Sequence, residues 1–276
     1  MGIKSAVTVS LVEEARGGPF VFWHDLIAAC SHAEGMGFDA IEVFAPSADA
    51  VDVKLLHKLL DDHGLKLAAL GTGGGWVINR THLAMGDAKQ RQAAKDFIRS
   101  MIDLGGKFGC PAIIGSMQGR SGDGVDKAAA RAYLAEALNE LGEHAEQYGE
   151  PLLYEPLNRY ESEKINLTAE GVELVEELET KNVKLLCDMF HMAIEEVDIA
   201  DALRKAGDHI GHVHFADSNR RAIGMGHTDV RPVAAVLKEI GYDGYASAEV
   251  FPLPSPEAAA RQTITAFRYW FADEQA

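Results

Sequence analysis

The sequence predicts an α/β fold, a single (β/α)8 barrel of the TIM type spanning residues 1–276. Three observations predict it. Short apolar, β-branched runs recur near residues 3–9, 38–44, 65–71, 110–116, 150–155, 183–188, 209–216 and 244–250. Each is followed by a segment with helical spacing, the pattern of parallel strands joined by crossovers. The even spacing of eight units and the lack of a dinucleotide fingerprint favour a closed barrel over an open doubly wound sheet. No Pro/Ser-rich linker or composition break divides the 276 residues, and a barrel of this kind takes about 250 as one unit.

The elements follow in order. The N-terminal MGIKSAVTVSLVEEARGG runs from a short apolar stretch into Glu13 and Glu14. It lacks a long h-region and a small-residue cleavage site, so it reads as the first strand. Ala6 also stands where a myristoylation pattern requires Ser or Thr. The third run leads into Gly71-Thr72-Gly73-Gly74-Gly75, which lacks the Lys-Ser/Thr of a P-loop. It reads as a flexible βα loop over the barrel mouth, with Trp76 as an apolar wall for a ligand. Helices are expected over 87–107, 124–148 and 168–179. In the last, Thr168 is the expected N-cap, and Val172, Leu174, Val175 and Leu178 line one stripe. Gly37, Gly64, Gly109, Gly149 and Gly241 follow helical segments, where glycine ends helices.

Composition narrows the partners. Twenty-six Lys and Arg against 42 Asp and Glu give a net charge of −16, which repels a phosphate backbone at long range and argues against nucleic acid. No run approaches the roughly 18 apolar residues that span a bilayer, so no membrane partner is expected. Cys30, Cys110 and Cys187 form no CxxC pair, which fits a reduced cytoplasm. Asn166-Leu167-Thr168 matches a glycosylation sequon that, without a secretory signal, is read as unmodified.

The chemistry is signalled where ionisable residues end apolar strands, because barrel enzymes build their sites at that end. Glu155 ends LLYE, Asp188 ends VKLLCD, His214 lies late in HIGHVHF, and Glu249 follows YASA. Converging carboxylates repel one another unless a cation sits among them. This oxygen-rich set with one imidazole suits a divalent ion, Mn²⁺ before Mg²⁺ or Co²⁺, better than a structural zinc. The other reading is that some of these residues face the helices and pair with Lys or Arg. His191 lies one turn beyond Asp188, within reach of a ligand. Glu161 brings a second carboxylate over the mouth, and Arg220 offers a guanidinium to substrate oxygens. His212 reads as a hydrogen-bonded core histidine. His24, His57, His63 and His144 fall on helix-like segments and read as solvated.

The motifs EPLNRYE (155–161), DMFHMAIEE (188–196) and GHVHFADSNRR (211–221), with Glu249, resemble the xylose-isomerase-like superfamily of sugar isomerases and epimerases. Within it the chain looks most like ketose 3-epimerases of the tagatose/allulose type and related keto-sugar-acid epimerases. The resemblance implies metal ligation by Glu155, Asp188, His214 and Glu249. It also implies that Glu155 and Glu249 are an acid/base pair on opposite faces of the substrate carbon. Glu161, His191 and Arg220 would contact oxygens near the carbonyl. After His214 the chain reads HFADSN where many ketose 3-epimerases carry an HTGE-like stretch, which leaves the sugar open. The expected reaction is epimerisation of a ketose or keto-sugar acid through an enediolate. Aldose–ketose or hydroxypyruvate-type isomerisation uses the same intermediate. A more remote alternative is phosphodiester cleavage like that of apurinic-site endonucleases. Against it, the third and fourth strands lack the extra histidines such a site needs, and His227 and Asp229 echo only part of it. A homodimer or homotetramer is the family-like assembly.

Overall fold

The computed structural model describes residues 2–122 and 124–271. Among them the strands are β1 (Lys4–Ser10), β2 (Phe22–Trp23), β3 (Ala40–Phe44), β4 (Lys66–Gly71), β5 (Ala112–Ile114), β6 (Leu152–Tyr154), β7 (Val183–Asp188), β8 (Ile210–His214) and β9 (Tyr245–Ala248). All pair in parallel, and β9 returns to β1, closing an eight-stranded barrel of β1 and β3 to β9. Each barrel strand overlies one of the eight runs read from the sequence. The two-residue β2 is the addition. It pairs with Val9 and Ser10, continuing the edge of β1 that β9 occupies along Lys4–Val7.

Alternation along the strands sorts the side chains. On β7, Leu185 and Cys187 join the large cluster between strands and helices. Leu186 instead packs with Ala69, Ile113 and Leu153 of β4 to β6, a separate layer inside the barrel. Continuing that inward row by two residues reaches Glu155 on one strand and Asp188 on the next. A register shift between Leu185 and Leu186 against β8 places Gly211 as the extra residue, and bulges of this kind re-aim side chains. Beyond it His212 and His214 share the inward face.

The helices begin on acidic caps. Asp25, Asp52, Asp87, Asp126, Asp198 and Asp229 accept backbone N–H bonds at the starts of α1 (Leu26–Met36), α2 (Val53–His63), α4 (Ala88–Gly106), α5 (Lys127–Glu146), α8 (Ile199–Ala206) and α9 (Val230–Glu239). The others are α3 (Gly74–Asn79), α6 (Thr168–Glu177), α7 (Met189–Glu195) and α10 (Pro256–Phe271). Gly37, Gly64, Gly109, Gly149 and Gly241 all adopt positive φ, as helix-ending glycines should.

Three local expectations are corrected. Thr168 is the first helical residue of α6 rather than its cap; the Glu170 carboxylate accepts from the backbone N–H of Asn166 and Leu167 instead. His24 lies in the bend after β2, not on a helix. The glycine run is a tight turn into α3, not a flexible loop. A Cβ on Gly74 would lie 2.6 Å from the Ala45 carbonyl oxygen, and one on Gly75 would lie 2.6 Å from the Met117 methyl.

Candidate active site

Glu155, Asp188, His214 and Glu249 meet at the C-terminal mouth of the barrel. One ligand-type atom from each lies within 4.8 Å of the others. His214 Nδ1 stands 3.4 Å from Asp188 Oδ2, 3.7 Å from Glu249 Oε2 and 3.8 Å from Glu155 Oε1. His191 Nε2 approaches from the side, 3.6 Å from Glu155 and 3.8 Å from Asp188. The sequence reading in which some of the four face the helices and pair there is not what the fold does.

Local structure fixes each group. Asp188 ends β7 and caps α7, so its Oδ1 accepts from the Phe190 N–H at 2.7 Å and its Oδ2 is left facing the cluster. Glu155 follows β6, where Gln118 Nε2 donates to its carbonyl at 2.9 Å. A Cβ at Gly115 would lie 2.3 Å from Glu155 Oε2, so a larger residue there would displace this carboxylate from its present position. His191 Nδ1 faces the Asn158 side-chain amide at 2.7 Å, which turns Nε2 toward the cluster.

Arg220 rides on the loop after β8. Its guanidinium stacks 4.8 Å over the Phe190 ring, pairs with Glu249 and reaches Glu161 at 3.4 Å. The loop is tied to Asp217, whose carboxylate accepts from the backbone N–H of Ser218 (2.7 Å), Gly224 (2.8 Å), Gly226 (2.9 Å) and Thr228 (3.0 Å). His227 is exposed and Asp229 caps α9, so neither joins the cluster.

One member was missed by the sequence reading. Glu42, on β3, is buried and bridges two imidazoles, facing His212 Nε2 at 2.8 Å and His214 Nε2 at 3.1 Å. Its signal is a lone carboxylate inside the apolar run AIEVF, where a buried charge needs partners. His212 is the buried, hydrogen-bonded histidine expected.

The electrostatics follow from crowding. Burial pushes the Glu155 carboxyl well above the usual range, and Glu249 and Asp188 add to the push against the pull of His214. Burial also acts to raise Asp188, but His191, His214 and Arg220 hold it below the usual range. For His214, burial works to lower the imidazole, yet Glu42, Glu249 and Asp188 carry it well above its ordinary value. Glu155 Oε1, Asp188 Oδ2, His191 Nε2 and His214 Nδ1 are buried without a hydrogen-bond partner. Two carboxylates and two imidazoles leave unsatisfied atoms at one point, and with Glu249 beside them Glu155, Asp188 and His214 make a donor set a divalent cation fits.

A cavity of about 330 Å³ opens above the cluster, lined by Glu155, Glu161, His191, His214, Arg220 and Glu249, with Trp76 on its wall. Asp188 lies buried beneath. A larger cavity of about 820 Å³ sits at the opposite end of the barrel, rimmed by Lys4, Lys66 and Lys184. Size does not decide between them: among the described residues, the unpartnered atoms of Glu155, His191 and His214 belong to the lining of the smaller one, and no lining residue of the larger one has such an atom.

A closed parallel barrel with a carboxylate–imidazole cluster at its C-terminal mouth defines a barrel enzyme. The family model for the xylose isomerase-like TIM barrel matches residues 30–270. The chain belongs to that family. It is 34% identical over 223 residues to the D-psicose 3-epimerase of Agrobacterium fabrum, covering 78% of this chain and 76% of that one. It is 29% identical over 249 residues to the L-ribulose 3-epimerase of a Methylomonas species, covering 89% and 85%. The crystal structure of a D-psicose 3-epimerase in the presence of D-fructose superposes with a TM-score of 0.79 at 25% identity, covering 97% of this chain and 99% of that one. The chain is accordingly an enzyme of the isomerase and epimerase class. No helix among the described residues is long and apolar enough to cross a membrane.

Proposed function

We propose that the chain is a divalent-cation-dependent epimerase of a ketose or keto-sugar acid. The observation that carries the reading is the four-residue cluster with its unpartnered buried atoms. The similarity to proteins named psicose and ribulose 3-epimerases supports the substrate class. Glu155, Asp188, His214 and Glu249 would hold the cation, with Mn²⁺ preferred over Mg²⁺ or Co²⁺. Bound there, it supplies Lewis acidity toward the carbonyl and neighbouring hydroxyl oxygens, making the adjacent C–H more acidic.

The chain's own groups do the rest. One of Glu155 and Glu249 takes the proton from the carbon beside the carbonyl, and the other returns a proton to the opposite face. Arg220 holds one oxygen of Glu249 and leaves the other for this work. Glu161, His191 and Arg220 orient substrate hydroxyls, and Trp76 covers the apolar side of the ring. The same reading takes the enzyme to be cytoplasmic and a homodimer or homotetramer; sedimentation of the purified protein checks the assembly.

The test is incubation of the Mn²⁺-loaded protein with a panel of ketoses in D₂O, followed by NMR. Stereoinversion with deuterium at the carbon beside the carbonyl supports epimerisation. Conversion to an aldose instead assigns isomerisation, and no exchange with any ketose rejects both.

A further inference from the structure

The chamber above the carboxylate cluster is not the end of the cleft. An outer chamber of about 630 Å³ adjoins it, and the two share Trp76, Ser116, Leu157 and Glu161 as common walls. The inner chamber, about 330 Å³, lies at the small end of the roughly 300–1,000 Å³ typical of ligand sites. Among the described residues no side chain fills the outer one.

The outer walls have the chemistry of a sugar site. The half-buried Trp76 indole stands at the junction, with the His82 ring 5.4 Å away. Met85 and Leu157 add apolar surface, while Gln90 and Ser121 present amide and hydroxyl groups. An aromatic face takes the C–H side of a pyranose and flanking polar groups take its hydroxyls. A phosphate fits poorly. Asp87 and Glu161 put carboxylates on the wall, and the Arg120 guanidinium is committed to the carbonyls of Tyr160 and Glu161.

Building on the epimerase reading, we infer that the preferred substrate is a glycosylated ketose, whose second sugar unit, remote from the carbonyl, occupies the outer chamber between Trp76 and Gln90. Binding energy from that unit is gained away from the reacting carbon and shows as a higher kcat/KM.

The test compares isomaltulose and leucrose, two glycosyl-fructoses substituted on O6 and O5, with fructose and fructose 6-phosphate. Each is supplied to the Mn²⁺-loaded protein in D₂O, and exchange beside the carbonyl is followed by NMR. The expected result is a kcat/KM for at least one disaccharide about tenfold or more above that for fructose, with the phosphate ester no better than fructose. Met85→Trp, which narrows the outer chamber, should abolish the disaccharide advantage and leave fructose turnover unchanged. Exchange with fructose at a rate neither disaccharide exceeds overturns the inference and leaves the epimerase reading intact. A preference for fructose 6-phosphate overturns it as well. Absence of exchange with every ketose, free or glycosylated, removes both readings together.

Discussion

A Glu42→Gln substitution keeps the shape of the side chain that joins His212 to His214 and removes its charge. In the unaltered protein both imidazoles present Nε2 to one carboxylate, at 2.8 and 3.1 Å. Both donate when each carries its proton on Nε2, and this leaves His214 Nδ1 bare toward Asp188. Burial acts to raise the Glu42 pKa, but the two histidines together hold it below the ordinary carboxylate range. An amide has only one oxygen to offer. Its NH₂ must face the other imidazole, which then either loses its bond or moves its proton to Nδ1. For His214 that second outcome places a hydrogen on the atom proposed to bind the cation. A hydrogen bond to a charged group contributes about 1.5–3 kcal/mol, which corresponds to roughly a ten- to hundredfold loss in cation affinity. Isothermal titration of Mn²⁺ into chelator-treated protein measures it, with circular dichroism to check the fold. A folded Glu42→Gln protein that binds Mn²⁺ as tightly as its parent would refute the bridging role.

Four further outcomes are expected. Glu155→Gln and Glu249→Gln should each nearly abolish deuterium exchange while leaving the melting temperature close to the parent's; turnover by either variant would remove that glutamate from the acid/base pair. Cation at about a hundredfold above its dissociation constant should stabilise the fold by about 2.7 kcal/mol, a rise of roughly 5–10 °C that a chelator reverses; a melting curve indifferent to both counts against the site. The buried Lys164 ammonium donates to the carbonyls of Gln118 and Gly119, and burial pushes it down to about 8 against the pull of Glu163. Between about 8 and the ordinary value near 10.4 the unfolded chain keeps this proton and the folded chain releases it, so stability gains from rising pH across that window. Lys164→Met should lack this gain, and equal pH slopes of the urea midpoint in the two proteins would contradict the assignment. Gly74→Ala drives a methyl toward the Ala45 carbonyl and should cost about 1–3 kcal/mol in urea unfolding.

The barrel and its four strand-end residues were legible because each signal is local. An apolar run that stops on a carboxylate says both where a strand ends and that its last side chain has a use. The left-handed glycines were legible for the same reason, since helix and stop are neighbours in sequence. Glu42 was not read, because its meaning depends on two histidines about 170 residues away. The glycine run was misjudged on similar grounds. A glycine needed for free rotation and one needed for close approach look alike until Ala45 and Met117 arrive from elsewhere in the fold. At α6 the threonine preference for a cap lost to Glu170, whose side chain folds back to the preceding amides. Phe22 and Trp23 form too short a strand for any periodicity to reveal.

The four amides gathered by the Asp217 carboxylate have a consequence for the guanidinium they carry. These bonds hold the stretch from 217 to 228 in the folded chain, so a substrate meeting Arg220 as proposed would be spared the entropic penalty of ordering it. Recognition on this rim, on the proposed reading, would be lock-like.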